Sequence, residues 1–195
     1  MTPLVAGYDA ALFDLDGVIY LGPNAIDGVT EAIATLRERG IRLGYVTNNA
    51  ARTPGAVAAH LRELGIPAAD ADVVNSTQAT VRMLQAELPA GARILAVGTE
   101  ALAAQLREGG FVPVTTLEEP DAVVQGYHPD LPWGLLELGS IAVQRGVPWY
   151  ATNPDQTRPT ERGILPGCGA QVDLIAACAG FRPRMAGKPY RPLLD

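Results

Sequence analysis

The feature that most constrains this chain is the alternation of short apolar runs with amphipathic segments over its first 65 residues. Ala10 to Leu15 reads as a fully buried strand, and a helix from about Asp27 to Arg39 follows, with Val29, Ile33 and Leu36 on one face and Gly40 as its stop. Ile41 to Val46 reads as the second strand. Thr53 is placed to cap a helix that starts at Pro54, carries Val57, Leu61 and Leu64 as its apolar stripe and ends at Gly65. Such a βαβα order winds into a parallel sheet, whose ligands bind beyond the carboxyl ends of the strands.

A second α/β series follows Ser76. It predicts helices near Gln78 to Glu87, Glu100 to Glu108 (capped by Thr99), Trp133 to Arg145 and Ala170 to Ala179. Strands are predicted at Arg93 to Val97, Ala122 to Gln125 and Pro148 to Thr152, and Asn153 to Gly169 reads as a loop rich in proline and glycine. A chain of 195 residues, 48% apolar, can bury one large core or two small ones, and two small α/β lobes fit best. The net charge of −6, with mixed signs along the helices, argues against nucleic acid as a partner. Cys168 and Cys178 lack metal-ligand spacing, and no apolar run reaches the length of a bilayer span. A cytoplasmic protein without a membrane partner is therefore expected.

Four groups of residues are candidates for chemistry. Asp14 and Asp16 end the first strand and flank Leu15, so alternation points both acids to one side; Gly17 then lets the chain turn. Two close carboxylates suit a divalent cation together with nucleophilic or acid/base work, although a solvated strand end or a metal-binding DxD of a sugar transferase has the same spelling. Thr47, Asn48 and Asn49 close the second strand, where a hydroxyl and backbone N–H groups can hold phosphate oxygens and where a plain polar turn is the alternative. Lys188, between Gly187 and Pro189, is either a surface lysine or a cation set to balance a phosphoryl group. In the long loop, Asn153 and Asp155 are the leading candidates for substrate contact, against ordinary turn chemistry. His60 reads as lying on a helix surface, and Cys178 as a small hydrophobe on an apolar helix face.

In order, strand-DLDG, TNN, a long insertion and GKP resemble the haloacid dehalogenase superfamily of phosphotransferases. The segments VTNNAARTPGAVAAHLRELGI and ATNPDQTRPTERGILPGCGA are similar to the para-nitrophenylphosphatase-like subfamily, which carries a large α/β cap between its second and third motifs. The resemblance implies a doubly wound parallel-sheet core, incomplete here, over residues 1–78 and 183–195, with an inserted α/β cap over 79–182. It implies that Asp14 takes the phosphoryl group as an aspartyl phosphate and that Asp16 protonates the leaving alcohol and then activates water. Mg²⁺ would be held by the Asp14 carboxylate, the backbone carbonyl of Asp16 and the phosphate; Thr47 and Asn48 would bind phosphate oxygens, and Lys188 would pair with the same charge. Asp16 separates the chain from the dehalogenases, which need no leaving-group acid.

The family's fourth acidic motif, a GDxxxTD-like stretch after the lysine, does not occur before Asp195, so a C-terminally truncated chain is expected. A Mg²⁺-dependent phosphatase of small phosphomonoesters such as glycerol phosphate, phosphoglycolate, sugar phosphates or nucleotides is the leading expectation. A phosphotransferase or mutase, and a non-catalytic phosphate-binding module, stand beside it. Caps of this kind often pack against each other in the subfamily, which makes a homodimer through the cap a further expectation.

Overall fold

The computed structural model describes residues 4–194. Residues 1–3 and 195, at the outer ends of the two expected core segments, lie outside the described residues. The chain divides into two compact units, residues 1–47, 54–74 and 159–163 in the first and residues 48–53, 75–158 and 164–195 in the second.

In chain order the first unit carries strands β1 (Ala10–Phe13), β2 (Tyr20–Leu21) and β3 (Asn24–Ala25), helix α1 (Val29–Glu38), strand β4 (Arg42–Thr47), helix α2 (Pro54–Glu63) and most of strand β5 (Val73–Asn75). Its sheet has the order β1-β4-β5, with β1 and β4 parallel from Ala10 opposite Arg42 to Phe13 opposite Tyr45. Ile33 of α1 and Val57, Ala58 and Leu61 of α2 close a core with Leu15, Ile19, Tyr45 and Val73. β1 departs from the fully buried strand expected of it. As the edge of this sheet it leaves Leu12 72% exposed, lying over Gly44 of β4, where an added Cβ would come 2.7 Å from its side chain.

The second unit continues with helix α3 (Ser76–Glu87), strand β6 (Arg93–Val97), helix α4 (Glu100–Glu108) and strands β7 (Val112–Val114) and β8 (Ala122–Gln125). Helix α5 (Trp133–Gln144) and strands β9 (Trp149–Ala151), β10 (Thr157–Thr160) and β11 (Gly163–Pro166) follow, residues 159–163 of the β10–β11 pair being counted with the first unit, then helix α6 (Cys168–Ala179) and strand β12 (Arg184–Met185). Five of these strands form a parallel sheet of order β12-β9-β8-β6-β7. Period-two alternation fills both of its faces. Ile94, Ala96, Ala122, Val124 and Tyr150 meet Leu84 of α3 and Leu102 and Leu106 of α4. Leu95, Val97, Val123, Trp149 and Ala151 meet Leu136 and Val143 of α5 and Val172 and Ile175 of α6.

Local side-chain chemistry accounts for the start of α3 and not for that of α4. Asn75 and Gln78 form a reciprocal capping box at α3, Asn75 Oδ1 accepting from the Gln78 N–H at 2.9 Å and Gln78 Oε1 from the Asn75 N–H at 3.0 Å. Thr99 stands at the N-cap of α4 but, contrary to expectation, its hydroxyl makes no capping bond. The helix starts there through the Thr99 carbonyl, which accepts from the N–H groups of Leu102 and Ala103. At the far edge of the sheet, Arg184 of β12 pairs with Glu87 of α3, and the Tyr150 hydroxyl donates to the same carboxylate at 2.8 Å. The Arg184 bond holds the Glu87 carboxyl below its ordinary range.

Candidate functional site

The expected site residues fall into two groups, each organised within its own unit. In the first unit, Leu15 is fully buried and anchors the end of β1, which turns the carboxylates of Asp14 and Asp16 outward on either side of it. The Leu15 N–H donates to Asp14 Oδ1 at 2.8 Å. The Leu15 carbonyl accepts from the N–H groups of Val18, Ile19 and Tyr20, a tight reversal that Gly17 permits with φ of 80°. Thr47 ends β4 with 1% exposure, and its hydroxyl lies 3.5 Å from Asp16 Oδ2. Because β1 and β4 are parallel neighbours, Asp14, Asp16 and Thr47 gather beyond the same carboxyl edge.

This donor set suits a hard divalent cation of one kind. Among the described residues no three His, Cys, Asp or Glu side chains converge as a metal cage. Two outward carboxylates match an ion that takes one or two carboxylates and fills its remaining positions with water and substrate oxygen, as Mg²⁺ does.

The second group lies at the carboxyl ends of the strands of the second unit. The Asn48 side chain bonds to both backbone groups of Lys188: Oδ1 accepts from the Lys188 N–H at 2.8 Å, and Nδ2 donates to the Lys188 carbonyl at 3.0 Å. Nδ2 also donates to the two carboxylate oxygens of Asp155, at 3.1 and 3.0 Å. The Asn48 carbonyl accepts from the Ser76 hydroxyl at 2.7 Å and from Asn153 Nδ2 at 2.6 Å. Asn153 Oδ1 accepts in turn from the Asp155 N–H at 3.1 Å. Asn49 Oδ1 accepts from the Ala51 N–H at 2.9 Å and so shapes the turn before α2. The structure thus brings Asn48, Asn153, Asp155 and Lys188 together.

Ser76 and Gly187 belong to this group, and neither was among the expected site residues. At Gly187 a Cβ would come within 2.6 Å of Asn48 Oδ1 and of the Thr152 carbonyl oxygen. One compositional signal marks the site from the sequence: Lys188 is the chain's one lysine, and the rest of its fifteen basic Lys and Arg positions are arginine.

Two expectations outside the site are corrected. His60 is not a surface residue: its side chain is 12% exposed, set edge-on to Tyr20 at 4.9 Å, with Nε2 3.2 Å from the Gly22 carbonyl. Cys178 is exposed and not tucked against an apolar face, because α6 turns Val172 and Ile175 to the sheet and Cys178 away from it. Cys168 is buried, 3.6 Å from the Thr152 hydroxyl, and burial pushes its thiol up to about 11. Between pH 9 and about 11 the folded chain keeps a proton that the unfolded thiol releases, so stability falls as pH rises through that window. A thiol reagent is expected to modify Cys178 at once in the native protein and Cys168 only with unfolding. Rapid modification of both would show that Cys168 is accessible.

Residues 11–112, just over half of the chain, match the family described as haloacid dehalogenase-like hydrolase. The chain belongs to this family. It is 42% identical over 195 residues to the D-glycerol 3-phosphate phosphatase of Mycobacterium tuberculosis, covering all of this chain and 54% of that protein. The crystal structure of that phosphatase in complex with magnesium superposes with a TM-score of 0.90 over 96% of this chain and 56% of that one, at 42% identity. Acid sugar phosphatase of Staphylococcus aureus is 38% identical over 182 residues, which are 93% of this chain and 70% of that protein. The 4-nitrophenylphosphatase of Thermotoga maritima superposes with a TM-score of 0.87 at 30% identity, over 96% of this chain and 71% of that one. The chain therefore spans about half the length of the mycobacterial phosphatase.

Proposed function

We propose that the protein hydrolyses small phosphomonoesters with Mg²⁺, using Asp14 as nucleophile and Asp16 as acid and base. The observation that carries this reading is the pair of outward carboxylates on either side of buried Leu15, with the Thr47 hydroxyl beyond the same sheet edge. The names of the relatives support it, since they are phosphatases of glycerol 3-phosphate and of acid sugars, one of them crystallised with magnesium.

An Asp14 oxygen attacks phosphorus and the ester P–O bond breaks, leaving an acyl phosphate on Asp14. Asp16 gives its proton to the departing alkoxide. It then takes a proton from water, whose oxygen attacks phosphorus, releasing inorganic phosphate and restoring the Asp14 carboxylate. Thr47 donates its hydroxyl to a phosphoryl oxygen, and the Lys188 ammonium offsets the charge that builds on the others. The Asp14 carboxylate and the Asp16 backbone carbonyl would hold Mg²⁺, which would supply screening of the phosphoryl charge and leave the Asp16 side chain free for proton transfer. Residues 79–182 form the part of the chain that meets the rest of the substrate. Glycerol phosphates and sugar phosphates are the classes the relatives favour.

Release of inorganic phosphate from a panel of glycerol, sugar and aryl phosphates tests this reading. Turnover is expected with Mg²⁺, is lost with EDTA and returns with excess Mg²⁺. No turnover across the panel, or turnover indifferent to EDTA, overturns it.

A further inference from the structure

We infer that Asn48 and Asp155 are positioning residues for Lys188 and not contacts to the substrate. An asparagine side chain has one acceptor oxygen and two N–H donors, and at Asn48 all are engaged within the protein. The oxygen and one donor pair with the N–H and the carbonyl of Lys188, as a neighbouring strand would. The other donor meets the Asp155 carboxylate, a charge-assisted bond that fixes the amide in its plane. The Asn48 backbone is held separately, by Ser76 and Asn153 on its carbonyl oxygen. Gly187 allows this close seating, because any side chain there would strike Asn48 Oδ1.

The effect is to make the main chain of a flexible residue rigid. A lysine stem has four rotatable carbons, and a mobile backbone beneath it would spread its ammonium over a wide volume. With the backbone bonded on both sides, the stem starts from a fixed origin. The part of the inference that concerns turnover rests on the reading under Proposed function. The part that concerns the Lys188 backbone does not.

The test reads one signal, the backbone amide of Lys188 in ¹⁵N-lysine-labelled protein, assigned by its loss in Lys188→Arg. Its hydrogen exchange is expected to be slow in the native protein. Asn48→Ala is expected to speed exchange about tenfold or more, the loss of one part-buried hydrogen bond. Asp155→Ala is expected to speed it by a smaller factor, and Asp155→Asn, which keeps an acceptor oxygen, to restore most of the protection. Exchange unchanged in both alanine variants overturns the inference, and Asp155→Ala decides alone where Asn48→Ala does not fold.

Steady-state kinetics form the second arm. Asp155→Ala is expected to lower kcat about tenfold with KM held within about twofold, with partial recovery in Asp155→Asn. A raised KM at unchanged kcat would mark Asp155 as a substrate contact and also overturn the inference. A native protein without turnover, combined with the expected exchange changes, would defeat the phosphatase reading alone and leave the positioning role standing.

Discussion

Asp14→Asn is expected to lower phosphate release by about four orders of magnitude or more, since it removes the attacking oxygen's charge and leaves the fold in place. The substitution is nearly isosteric, and the carboxamide oxygen can still accept the Leu15 N–H that Asp14 Oδ1 accepts at 2.8 Å. Leu15, which anchors the turn, is untouched. Unchanged thermal unfolding therefore accompanies the loss. An Asp14→Asn protein that keeps more than a small fraction of its turnover would assign the nucleophile elsewhere.

Lys188→Met is expected to cost about 10²- to 10³-fold in kcat, the range for removing one preorganised charge from the path of a developing anion. Lys188→Arg is expected to recover little of it. Arginine's planar fork spreads its charge over a rigid group, and at this position the chain keeps a lysine although its other basic Lys and Arg positions are arginine. Neither change alters the backbone N–H and carbonyl through which Asn48 holds residue 188. The loss should thus appear in turnover without a matching loss of stability, as kinetics and unfolding measured on the same samples would show. Full recovery by arginine would reduce the requirement to a positive charge of any shape.

The strands that share a buried sheet were legible because their sequences are nearly unbroken apolar runs. Arg93 to Val97, Ala122 to Gln125 and Trp149 to Ala151 each lie within a predicted strand. β7 was not, since Val112-Pro113-Val114 carries a proline in its centre, which an edge strand tolerates and which masks it in sequence. The β10–β11 pair was hidden for a similar reason. Thr157 to Pro166 holds two prolines and a glycine with φ of 119°, and a run of that composition reads as loop. β2 and β3, at two residues each, are too short to show any period.

The candidate site divides in the same way. The sheet edge that carries Asp14, Asp16 and Thr47 was legible because the parallel order of β1 and β4 brings their carboxyl ends together, although β1 ends at Phe13 and the reversal at Leu15, not strand alternation, sets the two acids. The work done by the Asn48 amide was not, because its partners Asp155 and Lys188 lie 107 and 140 residues further along the chain. Ser76 escaped notice for the opposite reason. A serine at the first position of a helix has a local explanation, and nothing nearby announces that its hydroxyl donates to the Asn48 carbonyl.

Acid quenching during turnover, followed by proteolysis and fragment mass analysis, tests the assignment of Asp14 most directly. A phosphoryl group is predicted on the Asp14 side chain of the protein quenched with substrate and Mg²⁺, and none in Asp14→Asn treated the same way. A phosphoryl group on Asp16 or any other residue, or steady turnover with no phosphorylated peptide at any quench time, would contradict it.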